Sequence, residues 1–249
     1  MSKAMLIDTS NCLYCNACTV ECKRENNVVV GRDIFWTRMD VHEVGQFPKV
    51  RQYYIKRACN HCTQAACVDV CPTGALYHHP DGFVVLDQSK CNGCGYCTQA
   101  CPFHIPQLDV VNPLTGQAKS NKCTFCVQRT ANGGQTACSM ACPFGAIIFG
   151  EREELLAKGK ERVATLQARG VNKARLYGEN EMGGLHVLYV LEEEPEVYGL
   201  PNEPQYPAMI TLWQQIVQPL GEVAFGAAIL GVIGAFLVSR RNIRMEEVE

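Results

Sequence analysis

Sixteen cysteines stand in four runs of four, and none lies outside them. The first run is Cys12, Cys15, Cys18 and Cys22, and the second is Cys59, Cys62, Cys67 and Cys71. The third is Cys91, Cys94, Cys97 and Cys101, and the fourth is Cys123, Cys126, Cys138 and Cys142. The last three runs each end on a proline: Pro72, Pro102 and Pro143. Thiols so spaced can form disulfides, hold zinc or ligate iron–sulfur clusters. Disulfide frameworks belong to short exported chains, and Met1–Asn11 is too short for an export signal. Structural zinc takes two pairs of ligands separated by a spacer, which the fourth run alone would fit. Three cysteines at two-residue gaps with a fourth three residues on form the bacterial ferredoxin run. In that run the fourth cysteine ligates the other cluster of a pair. The expectation is four [4Fe–4S] clusters with all sixteen cysteines as ligands.

Shared ligands force the runs to work in pairs. Adjacent pairing joins the first run to the second and the third to the fourth; nested pairing puts the second and third inside the first and fourth. The segment between the second and third runs reads as a short strand, a turn at Pro80-Asp81-Gly82 and a second strand through Phe83–Leu86. A small two-cluster ferredoxin joins its halves in this way, so nesting is preferred. It gives Cys59, Cys62, Cys67 and Cys101 one cluster, and Cys71, Cys91, Cys94 and Cys97 its mate. Cys12, Cys15, Cys18 and Cys142 then hold a third, and Cys22, Cys123, Cys126 and Cys138 the fourth.

Sixteen thiolates divide evenly among four cubanes, which leaves no iron open to substrate. Closed cubanes in series conduct single electrons, at potentials set by charge, hydrogen bonds to sulfur and burial. Lys23, Arg24, Arg57, Lys90, Lys122 and Arg129 lie beside the ligands and would favour the reduced state, or else are solvated surface charges. His61, His78 and His79 are the only other candidates for chemistry. His61 reads as a filler residue inside a cluster loop, and the pair His78-His79 as an exposed hairpin. No Ser/His/Asp pattern and no phosphate loop is present, so no catalytic residue is assigned. A net charge of -2 gives no reason to expect nucleic acid.

The elements that must position these ligands are legible in part. The stretch between the first two runs carries strand patterns in "RDIFWTRMDVHEV" and "VRQYYIKRA". From Gly150 a surface helix is expected, with Leu155, Val163 and Leu166 inward and Gly170 as its stop, followed by a strand in "GGLHVLYVLEEE". A proline-rich linker begins at Pro201. Val223–Ser239 then runs 17 residues without a charge, about 26 Å of helix, long enough with its neighbours to cross a bilayer. A buried core helix is the competing reading, but the stretch is apolar on all faces. Trp213 would sit at the headgroups, and Gly226, Gly231 and Gly234 permit close packing on another membrane helix. Arg240, Arg241 and Arg244 place the C-terminus in the cytoplasm and the cluster domain opposite. Clusters are assembled in the cytoplasm, so the domain would have to cross already folded on a partner's signal; otherwise it stays cytoplasmic.

The fold class expected is α+β: two nested ferredoxin-like modules, a linker and one C-terminal transmembrane helix. The domain reading is a four-cluster domain over 1–150, a helix–strand extension over 151–200 packing on it, a linker over 201–211, the membrane helix over 212–240 and a polar tail over 241–249.

The four runs in this order resemble the iron–sulfur subunits of the molybdopterin oxidoreductases. "NKCTFCVQR", "ACPFGAIIFG", "RVATLQARG", "GGLHVLYVL" and "YGLPNEP", followed by one membrane helix, are similar to the beta subunit of membrane-bound respiratory formate dehydrogenase. The resemblance runs from Leu6 to about Val238; the extension before the first run is short for that family. It implies a non-catalytic subunit that passes electrons from a molybdopterin catalytic subunit through four clusters to a haem b membrane subunit and on to quinone. It further implies membrane lipid around the helix, export on a twin-arginine partner, and room for a higher oligomer of the complex. The corresponding subunit of a polysulfide, thiosulfate or dimethyl sulfoxide reductase, or of a hydrogenase, is the alternative. A free polyferredoxin carrier is disfavoured by the anchor.

Overall fold

The structure is a computed structural model, and it describes residues 2–212 and 216–246. The chain forms two compact units, Met1–Tyr206 and Pro207–Glu249.

In the first unit the chain order is β1 (Lys3–Asp8), α1 (Ala17–Glu25), β2 (Thr37–Val44), β3 (Arg51–Ala58), α2 (Ala66–Asp69), β4 (Leu76–His78), β5 (Val84–Leu86) and α3 (Tyr96–Ala100). There follow β6 (Gln107–Asn112), β7 (Gln117–Asn121), α4 (Val127–Thr130), α5 (Ala137–Met140), β8 (Ile147–Glu151), α6 (Arg152–Ala168), β9 (Arg175–Tyr177) and β10 (Val187–Leu191). One four-stranded sheet has the order β8-β1-β10-β9, and β2-β3, β4-β5 and β6-β7 are separate hairpins. The fold is thus mixed α and β, as expected.

The four-stranded sheet separates two cores of the first unit. β1 pairs parallel to β10 and antiparallel to β8. Side chains alternate across a strand, and here both faces are covered. Met5, Ile7, Val187, Tyr189 and Leu191 enter the core that also holds Cys18, Cys59, Cys123 and Cys138. Ala4, Leu6, Leu188 and Val190 face α6 instead, against Leu155, Leu156 and Leu166. Leu155 and Leu166 are buried and Val163 packs beside them, so the helical periodicity in the sequence marked the correct face. Glu153 and Glu154 sit in its first turn, where the helix dipole favours anions. Gly159 lets α6 approach: a Cβ there would lie 2.7 Å from Leu176.

The expected hairpin between the second and third runs is β4-β5, with Leu76 opposite Leu86 and His78 opposite Val84. His78 is exposed, but His79 is only partly so, because its ring stacks on Phe83 with centroids 4.6 Å apart. Alternation alone could not show that an aromatic four residues on, across the turn, would cover it. The linker is tied down by Tyr206, whose hydroxyl donates to Asp69 Oδ2 at 2.7 Å.

In the second unit α7 (Ala208–Leu212) precedes α8 (Gln218–Glu246). Gln218–Arg240 has mean hydropathy 2.0 and no buried share, which fits a membrane span. Trp213 and the last residues, 247–249, lie outside the described residues.

Candidate metal centres

The first Cys-x-x-Cys loop of each run bends the same way. The residue just before its second cysteine has a left-handed backbone in all four runs: Tyr14 at φ 55°, His61 at 50°, Gly93 at 76° and Phe125 at 55°. Non-glycine residues seldom adopt such angles, and then at an energetic penalty. Three of the four being bulky, the surrounding structure must hold them there. Such turns point successive backbone N–H groups inward as a nest for an anion. At Gly93 the glycine is required twice over, since a Cβ would also meet the Ala118 carbonyl at 2.2 Å.

A short helix carries the third cysteine of every run: α1 Cys18, α2 Cys67, α3 Cys97 and α5 Cys138. The fourth cysteine follows one helical turn later. Where a proline comes next, the helical conformation is disfavoured for that cysteine. Cys101 accordingly closes α3 in an extended conformation, φ -77° and ψ 115°. The three Cys-Pro corners then close alike: Gly74, His104 and Gly145 donate N–H to the carbonyls of Cys71, Cys101 and Cys142 at 3.0–3.3 Å. α1 packs beside α5 and α2 beside α3, so the first run meets the fourth and the second meets the third.

The thiols gather in four groups. Cys71, Cys91, Cys94 and Cys97 line one cavity of about 320 Å³. Cys22, Cys123, Cys126 and Cys138 line a second of about 270 Å³, and Cys12, Cys15, Cys18 and Cys142 a third of about 380 Å³. Cys59, Cys62, Cys67 and Cys101 lie within electrostatic reach of one another. Four thiols around one space suit a multi-atom core. Among the described residues no three His, Cys, Asp or Glu side chains converge as a single ion needs. All sixteen cysteines are unpaired thiols.

The chemistry of the donor set agrees with such a core. Burial pushes the Cys18, Cys22 and Cys101 thiols up to about 11 and raises Cys62, Cys67 and Cys123 too. Thiols so buried ionise only when a cation replaces the proton. Cys71 goes the other way: burial would raise it, but the Leu76 N–H and the Thr73 hydroxyl outweigh that. Donors already aim at several sulfurs. Ser120 N–H donates to Cys91 Sγ at 3.4 Å, with its hydroxyl 3.4 Å from Cys97 Sγ. The Asn26 amide donates to Cys22 and Cys126 at 3.7 and 3.8 Å. Unpaired thiols, inward nests and polar donors around such cavities fit thiolate-ligated iron–sulfur clusters.

Two fully buried lysines join the groups electrically. Lys56 lines the cavity of Cys12, Cys15, Cys18 and Cys142. Burial depresses its ammonium, but the Cys138, Cys123 and Cys18 sulfurs, once ionised, hold it above the usual lysine range. Lys122 donates to the Val84 and Cys123 carbonyls at 2.7 and 2.8 Å and faces Cys67. Lys122 was a sequence candidate. Lys56 was not, since a lysine inside "YYIKRA" reads as the outward residue of a strand. Of the other basic candidates, Arg24 pairs with Glu21, Arg57 with Asp40, Lys90 with Asp87 and Arg129 with Glu25, while Lys23 sits over the Phe35 ring. His61 is wholly buried, its ring 3.9 Å from that of Phe125.

A family profile described as a 4Fe-4S dicluster domain matches residues 50–152. The formate dehydrogenase iron-sulfur subunit of Haemophilus influenzae is 38% identical over 99% of this chain and 83% of its own length. The nitrate-inducible formate dehydrogenase iron-sulfur subunit of Escherichia coli is 36% identical over 99% and 88%. A thiosulfate reductase electron transfer subunit of Salmonella typhi is 42% identical over 60% of this chain and 76% of its own length. The chain belongs to the iron–sulfur subunits of formate dehydrogenase, non-catalytic electron-transfer proteins of molybdoenzymes.

Proposed function

We propose that the chain holds four [4Fe–4S] clusters, one in each thiol group. Cys12, Cys15, Cys18 and Cys142 hold the first; Cys22, Cys123, Cys126 and Cys138 the second; Cys59, Cys62, Cys67 and Cys101 the third; Cys71, Cys91, Cys94 and Cys97 the fourth. The observation that carries this reading is the sorting of sixteen thiols into four groups of four, three of them around cavities.

Lys56 adjoins the first and second groups, Lys122 the second and third, and Cys67 and Cys97 link the third to the fourth. This gives the order of a wire. Its two end groups each expose one cysteine, Cys15 and Cys94, while the interior groups expose none. Electrons enter at one end from a molybdenum or tungsten formate dehydrogenase catalytic subunit. They leave toward a membrane cytochrome b subunit and quinone. α8 anchors the cluster unit through the linker, with the arginines Arg240, Arg241 and Arg244 on the cytoplasmic side and the clusters periplasmic. The likeness to a thiosulfate reductase subunit supports a second reading, the same wire serving a sulfur-compound reductase.

Metal analysis of anaerobically purified protein should give about sixteen irons and about sixteen acid-labile sulfides per chain. About eight irons, or stoichiometric zinc, overturns the cluster assignment. Formate-dependent dye reduction by the co-purified complex separates the two readings: its absence beside thiosulfate reduction favours the second.

A further inference from the structure

The four thiol groups are not equally furnished. Around Cys12, Cys15, Cys18 and Cys142 the walls set Lys56 among apolar Ile7, Leu13, Met39, Phe144 and Ile147, with the buried Thr19 hydroxyl beside Cys18. The group of Cys71, Cys91, Cys94 and Cys97 has Ser120, but it opens to solvent at Cys94, where water screens charge. The group of Cys59, Cys62, Cys67 and Cys101 has Lys122 and the buried ring of His61.

The cavity of Cys22, Cys123, Cys126 and Cys138 combines three features. Thr37 lines it, is 2% exposed, and its buried hydroxyl has the Cys22 sulfur as its partner. An unpaired buried hydroxyl is unfavourable unless something accepts its proton. The Asn26 amide and the Phe125 N–H already donate to Cys22, Cys126 and Cys123 sulfurs. Lys56 and Lys122 each reach its wall, Lys56 by donating to Met5 Sδ at 3.7 Å and Lys122 to the Cys123 carbonyl at 2.8 Å, and Lys56 has no carboxylate partner among the described residues. A buried cation without a counter-ion is strongly unfavourable. The balancing negative charge must come from thiolate-ligated groups, and it grows by one when a cluster is reduced. Donors to sulfur and nearby cations both favour that extra electron.

We propose that the site of Cys22, Cys123, Cys126 and Cys138 has the highest reduction potential in the chain, set there by Thr37 and Lys56, so that the first electron to enter the wire rests at this interior site. The inference rests on the four-cluster reading above. The step is the gain of one electron by the iron core, with no bond to the protein formed or broken. The donor is the molybdenum- or tungsten-pterin centre of the catalytic partner in the complex, and dithionite in the test. An electron held at an interior site stays away from Cys15 and Cys94, where solvent oxidants reach the wire. Thr37 and Lys56 act through the cluster as positioning residues.

The experiment is an anaerobic EPR redox titration of the full-length holoprotein and of Thr37→Val, Lys56→Met and Cys126→Ser, with iron counted in each. The first signal to appear on reduction should be the one that Cys126→Ser alters. Thr37→Val, which keeps the side-chain shape, should lower that midpoint and leave the others in place. Lys56→Met should lower it and that of the neighbouring site of Cys12, Cys15, Cys18 and Cys142. The drop for Lys56→Met should reach at least tenfold in the reduced-to-oxidised ratio at fixed potential, about 59 mV for one electron. Should Lys56→Met load less iron, Thr37→Val decides alone. The inference fails if the first signal is untouched by Cys126→Ser, or if Thr37→Val at full iron moves no midpoint. Low iron in the unaltered protein would instead sink the four-cluster reading.

Discussion

Cys97 and Cys101 stand one helical turn apart, yet their sulfurs serve different groups. On an uninterrupted helix such residues share a face. Pro102 prevents this by driving Cys101 out of the helical region, and the turn to His104 fixes the corner. Replacing Cys101 by serine should therefore disturb the site of Cys59, Cys62 and Cys67 and spare that of Cys91, Cys94 and Cys97. A serine oxygen is a harder ligand than thiolate, so the altered cluster shifts in potential or loses one iron. EPR of the variant beside Cys71→Ser, which should disturb the other site, checks it; the same signal changing in both would refute the sharing. The candidate ligands were legible because chemistry restricts them to cysteine at fixed spacing. Their supporting residues were not. Thr37 lies 15 residues from Cys22 and Lys56 farther still from Cys18, Cys123 and Cys138, and the pairing of β2 with β3 brings the two onto neighbouring strands, with β2 packed on α1.

The elements divide in the same way between local and distant causes. β4-β5 and α6 declared themselves through a turn sequence and a helical period, both short-range signals. The central pairing did not. β1 and β10 lie side by side with Met5 opposite Val187, a partnership across most of the chain that no window of sequence contains. A consequence concerns where the cluster unit ends. Because β9 and β10 supply two of the four strands, residues after 150 belong to the fold that carries the ligands, and compactness continues to Tyr206. Removing 207–249 should release this unit from the membrane with its iron intact, whereas a cut at 150 should cost the iron as well. Membrane fractionation with iron analysis, in the absence of partner subunits, distinguishes the cases. Retention of the 1–206 fragment in the membrane would show that α8 is not the anchor.

At the scale of the whole molecule, the metal and the fold depend on each other through charge. With iron present, the thiolate-ligated sites balance two lysines that are at most 1% exposed. Without it, burial holds Cys18, Cys22 and Cys101 up to about 11, so those thiols are protonated and neutral at pH 7. Lys56 and Lys122 then face uncharged sulfur in a water-poor interior, and each uncompensated charge is unfavourable by several kcal/mol. That is comparable to the ~5–15 kcal/mol that stabilises a typical domain. The left-handed residues Tyr14, His61 and Phe125 also lose what held their loops closed. Chelating the iron anaerobically should therefore open the Met1–Tyr206 unit broadly rather than leave an empty cage. Amide hydrogen exchange should rise first in β3 and in the Lys119–Cys123 segment, which carry the two lysines. If charge is the cause and not merely lost ligation, the chelated Lys56→Met variant should keep more protection in β3 than the chelated parent. Equal loss in both would leave ligation as the sole link, and full protection in the chelated parent would mean that the fold stands without its metal.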